Sequence, residues 1–397
     1  MNKKLLALAV AGAFVAPAAM ADTSNVVVYG VVNMSFDSVD GGSGTANTAE
    51  RRNRVSSNNS NLGFKGTEDL GNGLSAIWQF ESAIAFDQQP RNDSGNGDAS
   101  GTTGARNTYA GLSSKTMGAL TLGNQESPMK TSISKLDMFG NTIADYRTLM
   151  GPQTRGVNSV LYSSPSFNGF DVKAMYSARN EAGNGGNKNP SYWSASATYA
   201  NGPILAAVAH EVEKAVTAAS AATTATFVVT NGAGATVGSV LVTTAGATAA
   251  ADTKQTTSRV GFGYNFGAAK VGVGYNTTKL RNELDSSETK TNSWLVSGAY
   301  SMGKTTLKAQ YVTSSDIKGN ATSSEGAKQW TIGADYSLSK RTTMYALYTK
   351  LVNDTNASRT LGSNSGVSGA NTGIATVSAS AAGQDPSAIS VGMVHSF

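Results

Sequence analysis

The 397-residue sequence contains no cysteine, only two histidines and only eight prolines. Without cysteine, a disulfide framework, a thiolate metal site and a cysteine nucleophile are excluded. His210 and His395 lie far apart in the chain, so neither a His-based catalytic triad nor a metal cluster is indicated. No combination of acid, base and nucleophile stands out, and we expect no enzymatic activity, no cofactor and no metal.

Long apolar runs are also missing, except at the N-terminus. Lys3 and Lys4 precede an apolar stretch that ends near Pro17 and is followed by Ala19-Met20-Ala21. This pattern predicts a cleaved signal peptide over residues 1–21. A short transmembrane helix is the alternative, but the stretch is short and ends in a cleavage-type triplet. The remaining chain, 22–397, has a net charge of +3 rather than +5, because two lysines are removed. So small an excess does not indicate nucleic-acid binding.

Beyond residue 21, apolar and polar residues alternate in many short segments. Such alternation places apolar side chains on one face of a β-strand and polar side chains on the other. It predicts sixteen strands, at 26–38, 53–67, 73–87, 105–115, 118–127, 155–165, 169–180, 191–201, 203–214, 257–266, 268–281, 291–301, 303–316, 327–338, 340–353 and 387–397.

The connections between these segments alternate between short turns rich in Asn, Gly and Ser and long polar loops. The long loops lie at 39–52, 88–104, 128–154, 181–190, 215–256, 282–290, 317–326 and 354–386. A soluble β-sandwich has no reason to separate the two lengths in this way, whereas an outer-membrane barrel has periplasmic turns and extracellular loops. The sequence therefore predicts an all-β fold, a 16-stranded antiparallel transmembrane β-barrel over 22–397.

The last strand carries the clearest alternation. Ile389, Val391, Met393, His395 and Phe397 share one face, which we expect to contact lipid. We expect this strand to pair with the first strand and close the barrel. Aromatic residues near strand ends are expected to form interfacial girdles, namely Tyr29, Trp78, Tyr162, Trp193, Tyr300 and Tyr348.

Four segments form a recognisable set: Leu62-Gly63-Phe64-Lys65-Gly66-Thr67-Glu68-Asp69-Leu70-Gly71, the strand around Tyr29-Gly30, the segment 76–82 and the C-terminal 391–397. Together they resemble one known family, the general porins of Gram-negative bacteria. The resemblance implies a homotrimeric channel in the outer membrane, surrounded by lipid and lipopolysaccharide, that passes small hydrophilic solutes and ions. It also implies that Phe397 is the assembly signal read by the barrel insertion machinery. The third extracellular loop is then expected to fold into the lumen and form the constriction.

In this sequence the third loop is the segment 128–154. We expect its apolar residues Met138, Phe139, Tyr146 and Leu149 to pack against the barrel wall. Asp137 and Asp145 are the candidates for an acidic side facing a basic wall, an arrangement that would set up a transverse field in the lumen. The basic candidates are Arg51, Arg52, Arg54, Lys65, Lys130, Lys135, Arg147 and Arg155, and further lumen-facing candidates are Gln79, Glu81, Lys173 and Lys308.

Three positions depart from the pattern of this family. Asn61, Asn124 and Leu161 stand where many relatives carry arginine. Anion selectivity can therefore not be assumed from the resemblance, and we predict only a weak preference for anions from the small positive excess. A substrate-specific porin and a surface adhesin anchored by its barrel remain alternatives. The loop 215–256 is the least porin-like segment, and its pattern predicts an extra hairpin from 226–230 and 239–243.

Overall fold

A computed structural model describes residues 25–42, 51–87, 104, 106–151, 155–178, 191–217, 223–230, 236–244, 251–362 and 382–397. The predicted signal peptide lies outside these ranges. The strands are β1 (Asn25–Asp40), β2 (Arg52–Ser57), β3 (Asn61–Gly71), β4 (Leu74–Ala83), β5 (Thr108–Ser114), β6 (Gly118–Glu126), β7 (Arg155–Ser163), β8 (Phe170–Ser177), β9 (Ser191–Asn201), β10 (Ile204–Thr217), β11 (Thr223–Thr230), β12 (Thr236–Thr244), β13 (Ala251–Asn265), β14 (Ala269–Asn282), β15 (Glu288–Met302), β16 (Thr305–Ser314), β17 (Ala327–Ser337), β18 (Thr342–Asn353) and β19 (Ser387–Ser396).

Seventeen of these strands form one closed antiparallel sheet. β2 and β3 follow each other along the same edge of β1, so the barrel has sixteen positions, as predicted. The other edge of β1 pairs with β19. The backbone N–H and C=O of Gly30 bond to those of Phe397, each at 3.1 Å, which confirms the predicted closure of the last strand on the first.

The predicted strand 53–67 is two strands in the structure. The backbone is interrupted at residues 58–60, where Asn59 has a φ of +59°. Asn58 is buried and its side-chain amide donates to Ser35 Oγ at 2.8 Å and to Tyr345 Oη at 3.3 Å. These contacts compensate for the interrupted ladder, and periodicity alone cannot reveal such a break.

The two faces of the strands differ as the alternation predicts. Trp294 and Val296 are about half exposed on the outer face, whereas Leu295 between them is fully buried. Likewise Ile389 is 46% exposed and its neighbour Ser390 only 1%. Tyr29 is the exception among the predicted girdle residues. It shares the inward face with Asn33 and donates to Glu81 Oε2 at 2.9 Å.

The short connections lie at one end of the barrel and the long ones at the other. Tight turns such as Asn168-Gly169 use positive φ values, +51° and +88°. β11 and β12 pair as an antiparallel hairpin within the connection from β10 to β13, which confirms the predicted hairpin, although its turn lies outside the described residues. Among the described helices, none is long and apolar enough to cross a membrane.

Candidate pore constriction

Residues 128–151, called here the constriction loop, lie inside the barrel. The loop begins with α1 (Pro128–Ser132), a single helical turn. Ser127 caps this turn by accepting a hydrogen bond from the Lys130 N–H at 3.0 Å, and proline at the first helical position has no N–H to satisfy. The Met129 N–H donates to Ser194 Oγ at 3.0 Å. The start of the loop is therefore fixed against β9.

An apolar face of the loop packs on the inner wall, as predicted. Phe139, Tyr146 and Leu149 are buried and Met138 packs against the same cluster. The wall beneath Ile133 and Leu136 is lined by glycine. A Cβ at Gly261 would lie 2.4 Å from the Ile133 side chain, and one at Gly263 would lie 2.7 Å from Leu136. Glycines on the inward face thus provide the space that the loop occupies.

Arg259 of β13 ties the two ends of the loop together. Its side chain is 1% exposed, and its guanidinium donates to the Met129 carbonyl at 3.1 Å and to the Met150 carbonyl at 2.7 Å. Its Nε donates to Asn276 Oδ1 at 3.2 Å, which orients the group. One rigid five-donor side chain thereby satisfies backbone acceptors 21 residues apart in sequence.

The tip of the loop reaches the opposite wall. The Asn33 side chain donates to the Asn141 carbonyl and the Asn59 side chain donates to Asn141 Oδ1, each at 2.7 Å. Asn59 Oδ1 in turn accepts a hydrogen bond from Arg106 at 3.1 Å, and Arg106 pairs with Glu81. A continuous polar network therefore runs from the wall to the loop tip.

Asp137 and Asp145 differ from their predicted orientation. The carboxylate of Asp145, 1% exposed, accepts from the backbone N–H groups of Asn141 and Arg147, both at 2.9 Å, and pairs with the Arg147 guanidinium at 2.8 Å. Asp137 accepts from the Phe139 N–H at 3.0 Å. Burial and the adjacent Asp145 raise the pKa of Asp137 well above its usual range. Both acids bond within the loop instead of facing a basic wall across the pore, because a loop this long has many backbone donors to satisfy.

Four of the eight basic candidates pair with acids of the lumen, namely Arg54, Lys130, Arg147 and Arg155. Arg54 lies 3.5 Å from Asp37. Lys130 and Arg155 both contact the Glu126 carboxylate, at 2.7 Å and 3.0 Å, at the root of the loop. These pairs line the lumen with both signs of charge while leaving little uncompensated charge on these residues.

Three further cations face the lumen with more exposure. Lys65 lies over the Tyr29 ring at 5.1 Å, and Lys135 is exposed on the side of the loop away from the wall. Arg52 is exposed at the end with long loops, and it lies opposite Val39 of β1 in the strand register. Among the ion pairs of the described residues, none involves these three cations. Arg51 does not face the lumen as predicted. It precedes the inward-facing Arg52, so its side chain points to the outer face, where it lies 3.9 Å from Asp40.

The remaining candidates lie on the inward face and take part in local contacts. Gln79 donates to the Asn107 carbonyl and accepts from Tyr109 Oη, both at 3.3 Å. Lys173 lies between Ser163 and Ser196 of the neighbouring strands. Lys308 pairs with Asp335 at 2.7 Å and lies 4.7 Å from the Phe139 ring centre, so it supports the loop from below.

Arg106, Glu126 and Arg259 are functional candidates that sequence reasoning missed. Arg259 carried a usable signal, since it is the inward neighbour of the outward-facing Val260 in a strand of clear alternation. Arg106 and Glu126 lie at strand ends, where alternation stops and parity no longer assigns a face. Their partners lie on the adjacent strands, Glu81 near the end of β4 and Arg155 at the start of β7, in a register that the sequence alone does not set.

Fixed charges of both signs bound the constriction. Among the described residues, no group of three His, Asp or Glu side chains is placed to hold a metal ion. Closely spaced charges of both signs orient water and favour polar over apolar solutes. The arrangement suits physical filtering of solutes.

Comparison with known proteins agrees with this geometry. The family model described as Gram-negative porin matches residues 7–356. An outer membrane porin protein of Bordetella pertussis is 30% identical over 238 residues, which is 53% of this chain and 59% of that protein. The major outer membrane protein P.IB of Neisseria meningitidis serogroup B is 35% identical over 193 residues, 46% of this chain and 51% of that protein. The matches thus span a little over half the length of these relatives.

Solved structures show the same fold. An anion-selective porin from Comamonas acidovorans superposes with a TM-score of 0.70 at 24% identity, covering 94% of this chain and all of that one. The trimer form of OmpT from Vibrio cholerae gives a TM-score of 0.65 at 17% identity, covering 95% of this chain and 100% of that one. The family match covers most of the sequence, the barrel is closed, and a long loop narrows its lumen. The chain belongs to the Gram-negative porin family.

Proposed function

We propose that the chain forms a passive outer-membrane channel for small hydrophilic solutes and ions, with a weak preference for anions. The observation that carries the proposal is the charge balance of the constriction. Arg54, Arg106 and Arg147 each have an acidic partner. Lys65 and Lys135 are exposed, and the ion pairs among the described residues include neither of them. These two exposed cations contribute positive charge along the path of a passing ion.

We further propose a homotrimer in contact with lipid and lipopolysaccharide, assembled by the machinery that reads Phe397. The trimer form of the OmpT neighbour and the family match support the oligomer. The exposed apolar side of the terminal strand, with Ile389, Val391 and Met393, supports contact with acyl chains.

Single-channel recording in planar bilayers tests the channel. We expect open-pore steps and a reversal potential in a salt gradient that is shifted modestly toward the anion equilibrium potential. The double variant Lys65→Gln/Lys135→Gln should move this potential toward the cation side, because it removes two of the three exposed lumen cations that have no ion pair. The control Lys318→Gln/Lys328→Gln removes the same charge outside the lumen and should leave it unchanged.

Other results would change the assignment. Strong cation selectivity of the wild type would refute the anion preference. Blockade of the current by one class of solute would indicate a substrate-specific porin. A folded barrel that never conducts would support an anchor for a surface adhesin.

A further inference from the structure

Two tyrosines face the lumen from strands that the constriction loop leaves uncovered. Tyr29 of β1 and Tyr109 of β5 lie on either side of β3 and β4 in the barrel. Both are half-buried, whereas Tyr192 and Tyr345, which also point inward, are buried. Among the described strands, Tyr29 and Tyr109 therefore provide the aromatic surface that a passing solute can contact.

Side chains of β4 hold both rings in place. The Tyr29 hydroxyl donates to Glu81 Oε2 at 2.9 Å, and the Tyr109 hydroxyl donates to Gln79 Oε1 at 3.3 Å. The Tyr29 ring also lies close against β3, where a Cβ at Gly63 would be 2.7 Å from the ring atom Cε1. Because these contacts fix the rings before any solute arrives, a solute that packs on them orders little of the protein.

A cation lies in the same row of the sheet. Lys65, Gln79 and Tyr109 are directly opposite one another in the register of β3, β4 and β5. The Lys65 ammonium is 5.1 Å from the Tyr29 ring centre, and the side chain is exposed. The next residue of the row, Gly123 of β6, has no side chain that could fill the space beside Tyr109. We call Tyr29, Lys65, Gln79 and Tyr109 the tyrosine shelf.

The acid nearest to the shelf is already compensated. Glu81 is two residues from Gln79, about 7 Å along the strand. One of its carboxylate oxygens accepts the Tyr29 hydroxyl, and the other pairs with Arg106. Arg106 also bonds to Asn59, which holds the tip of the constriction loop. The shelf therefore lies one step from the constriction, toward the short turns, and carries the positive charge of Lys65 without an acid of its own.

We propose that the tyrosine shelf binds small aromatic carboxylates on their way through the lumen. The proposal rests on the proposed channel and gives it a preferred class of solute. Lys65 and Tyr109 are two strands apart, about 10 Å between their Cα atoms, so one molecule can contact both side chains. Its carboxylate would pair with the Lys65 ammonium, and its ring would pack on the Tyr109 ring in an offset or edge-on arrangement.

The two contacts together explain why this class is preferred. An aliphatic carboxylate contacts only the cation, and a neutral aromatic molecule contacts only the rings. The shelf is open to the lumen on one side, so binding is weak and the solute leaves again, as conduction requires.

Reversal potentials with two different anions test permeation. One side of a planar bilayer contains sodium benzoate and the other contains sodium acetate at the same concentration. A passage without a site should favour acetate, the smaller anion, whereas we expect the wild type to favour benzoate. The double variant Lys65→Gln/Tyr109→Leu should return the preference to acetate.

The matched control is Lys270→Gln/Tyr300→Leu, which removes a cation and a tyrosine elsewhere. Lys270 is on the opposite wall and shares the inward face of β14 with Gly272, which lies under the constriction loop. Tyr300 is about half exposed on the outer face. The control should keep the preference for benzoate.

Binding is measured separately, on the full barrel refolded in neutral detergent, from the NMR line broadening of benzoate, acetate and benzamide. We expect wild type and control to bind benzoate, and the double variant to bind it roughly fivefold or more weakly. Acetate and benzamide should bind the wild type more weakly than benzoate, since each lacks one contact. Heat-modifiable migration verifies folding. If the double variant does not fold, Lys65→Gln alone, at an exposed position, takes its place.

Equal benzoate binding by wild type and double variant would overturn the proposal, as would a wild type that favours acetate. Benzamide binding as strong as that of benzoate would exclude the contact with Lys65 and overturn it too. Absence of conductance in the wild type would refute the proposed channel, while the NMR measurement would still decide whether the shelf binds benzoate. Normal conductance without benzoate binding would refute only the shelf.

Discussion

Arg259 connects the first and last turns of the constriction loop through two backbone carbonyls, and no other single side chain described above reaches both ends. Its three hydrogen bonds lie between 2.7 and 3.2 Å and it is almost fully buried. A buried cation of this kind is stabilising only while all its acceptors are present, and removing it leaves those acceptors without a partner.

The substitution Arg259→Met should therefore loosen the loop. We expect the free energy of unfolding to fall by about 3 kcal/mol. We also expect a larger and noisier single-channel conductance, because the ends of the loop are no longer fixed. Arg341→Met, at an exposed turn, is the matched control and should change neither quantity. An unchanged conductance in Arg259→Met would mean that the apolar packing of Ile133 and Leu136 alone holds the loop.

Parity assigns residues well in the middle of strands and poorly at their ends. Lys65, Gln79 and Glu81 lie in regular ladders, where the strand register places them on the inward face. Arg51 lies where the ladder stops, and it turns outward to Asp40. The orientation of Asp137 and Asp145 depends on which backbone groups of the loop need acceptors, which only the folded loop determines.

At the scale of elements, the number and order of strands follow from alternation because lipid and water impose opposite demands on the two faces. The break between β2 and β3 does not follow from it. It depends on Asn58, which bonds to Ser35 of β1 and Tyr345 of β18, and on Ser60, which bonds to the Asn33 carbonyl of β1. β1 and β18 lie far apart in the sequence, so the sequence does not show that they meet at this point. The presence of glycine on the inward faces of β13 and β14 is likewise explained only by the folded structure, in which the constriction loop packs on these glycines.

The β11–β12 hairpin belongs to a connection that the barrel does not require. β10 and β13 pair up to Thr217 and Ala251, so a two-residue turn can join them directly. Replacing residues 218–250 by Asn-Gly should leave single-channel conductance and thermal midpoint close to those of wild type. Replacing the constriction loop 128–151 by Asn-Gly is the contrasting variant, and it should raise conductance. Failure of the first variant to fold would show that the hairpin contributes to the barrel itself.

At the scale of the whole molecule, closure joins the two ends of the chain that the structure describes. β1 contacts β19 on one edge and β2 and β3 on the other, so its ladder completes the sheet. A closed sheet is required because an open edge cannot satisfy its backbone groups in lipid. Closure uses the backbone of Phe397, while its side chain lies on the outer face at 47% exposure.

Closure and assembly should therefore be separable by substitution. Phe397→Ala keeps both backbone hydrogen bonds to Gly30, so we expect normal refolding in detergent but reduced insertion into the outer membrane of cells. Gly30→Val should instead impair refolding in detergent, because a Cβ at Gly30 would lie 2.6 Å from the Asn61 carbonyl oxygen and 2.4 Å from the Phe397 ring. Heat-modifiable migration on gels measures the folded fraction, and surface labelling measures insertion. If Phe397→Ala also fails to refold in detergent, then the ring stabilises the closed barrel itself, because no cellular machinery is present in that experiment.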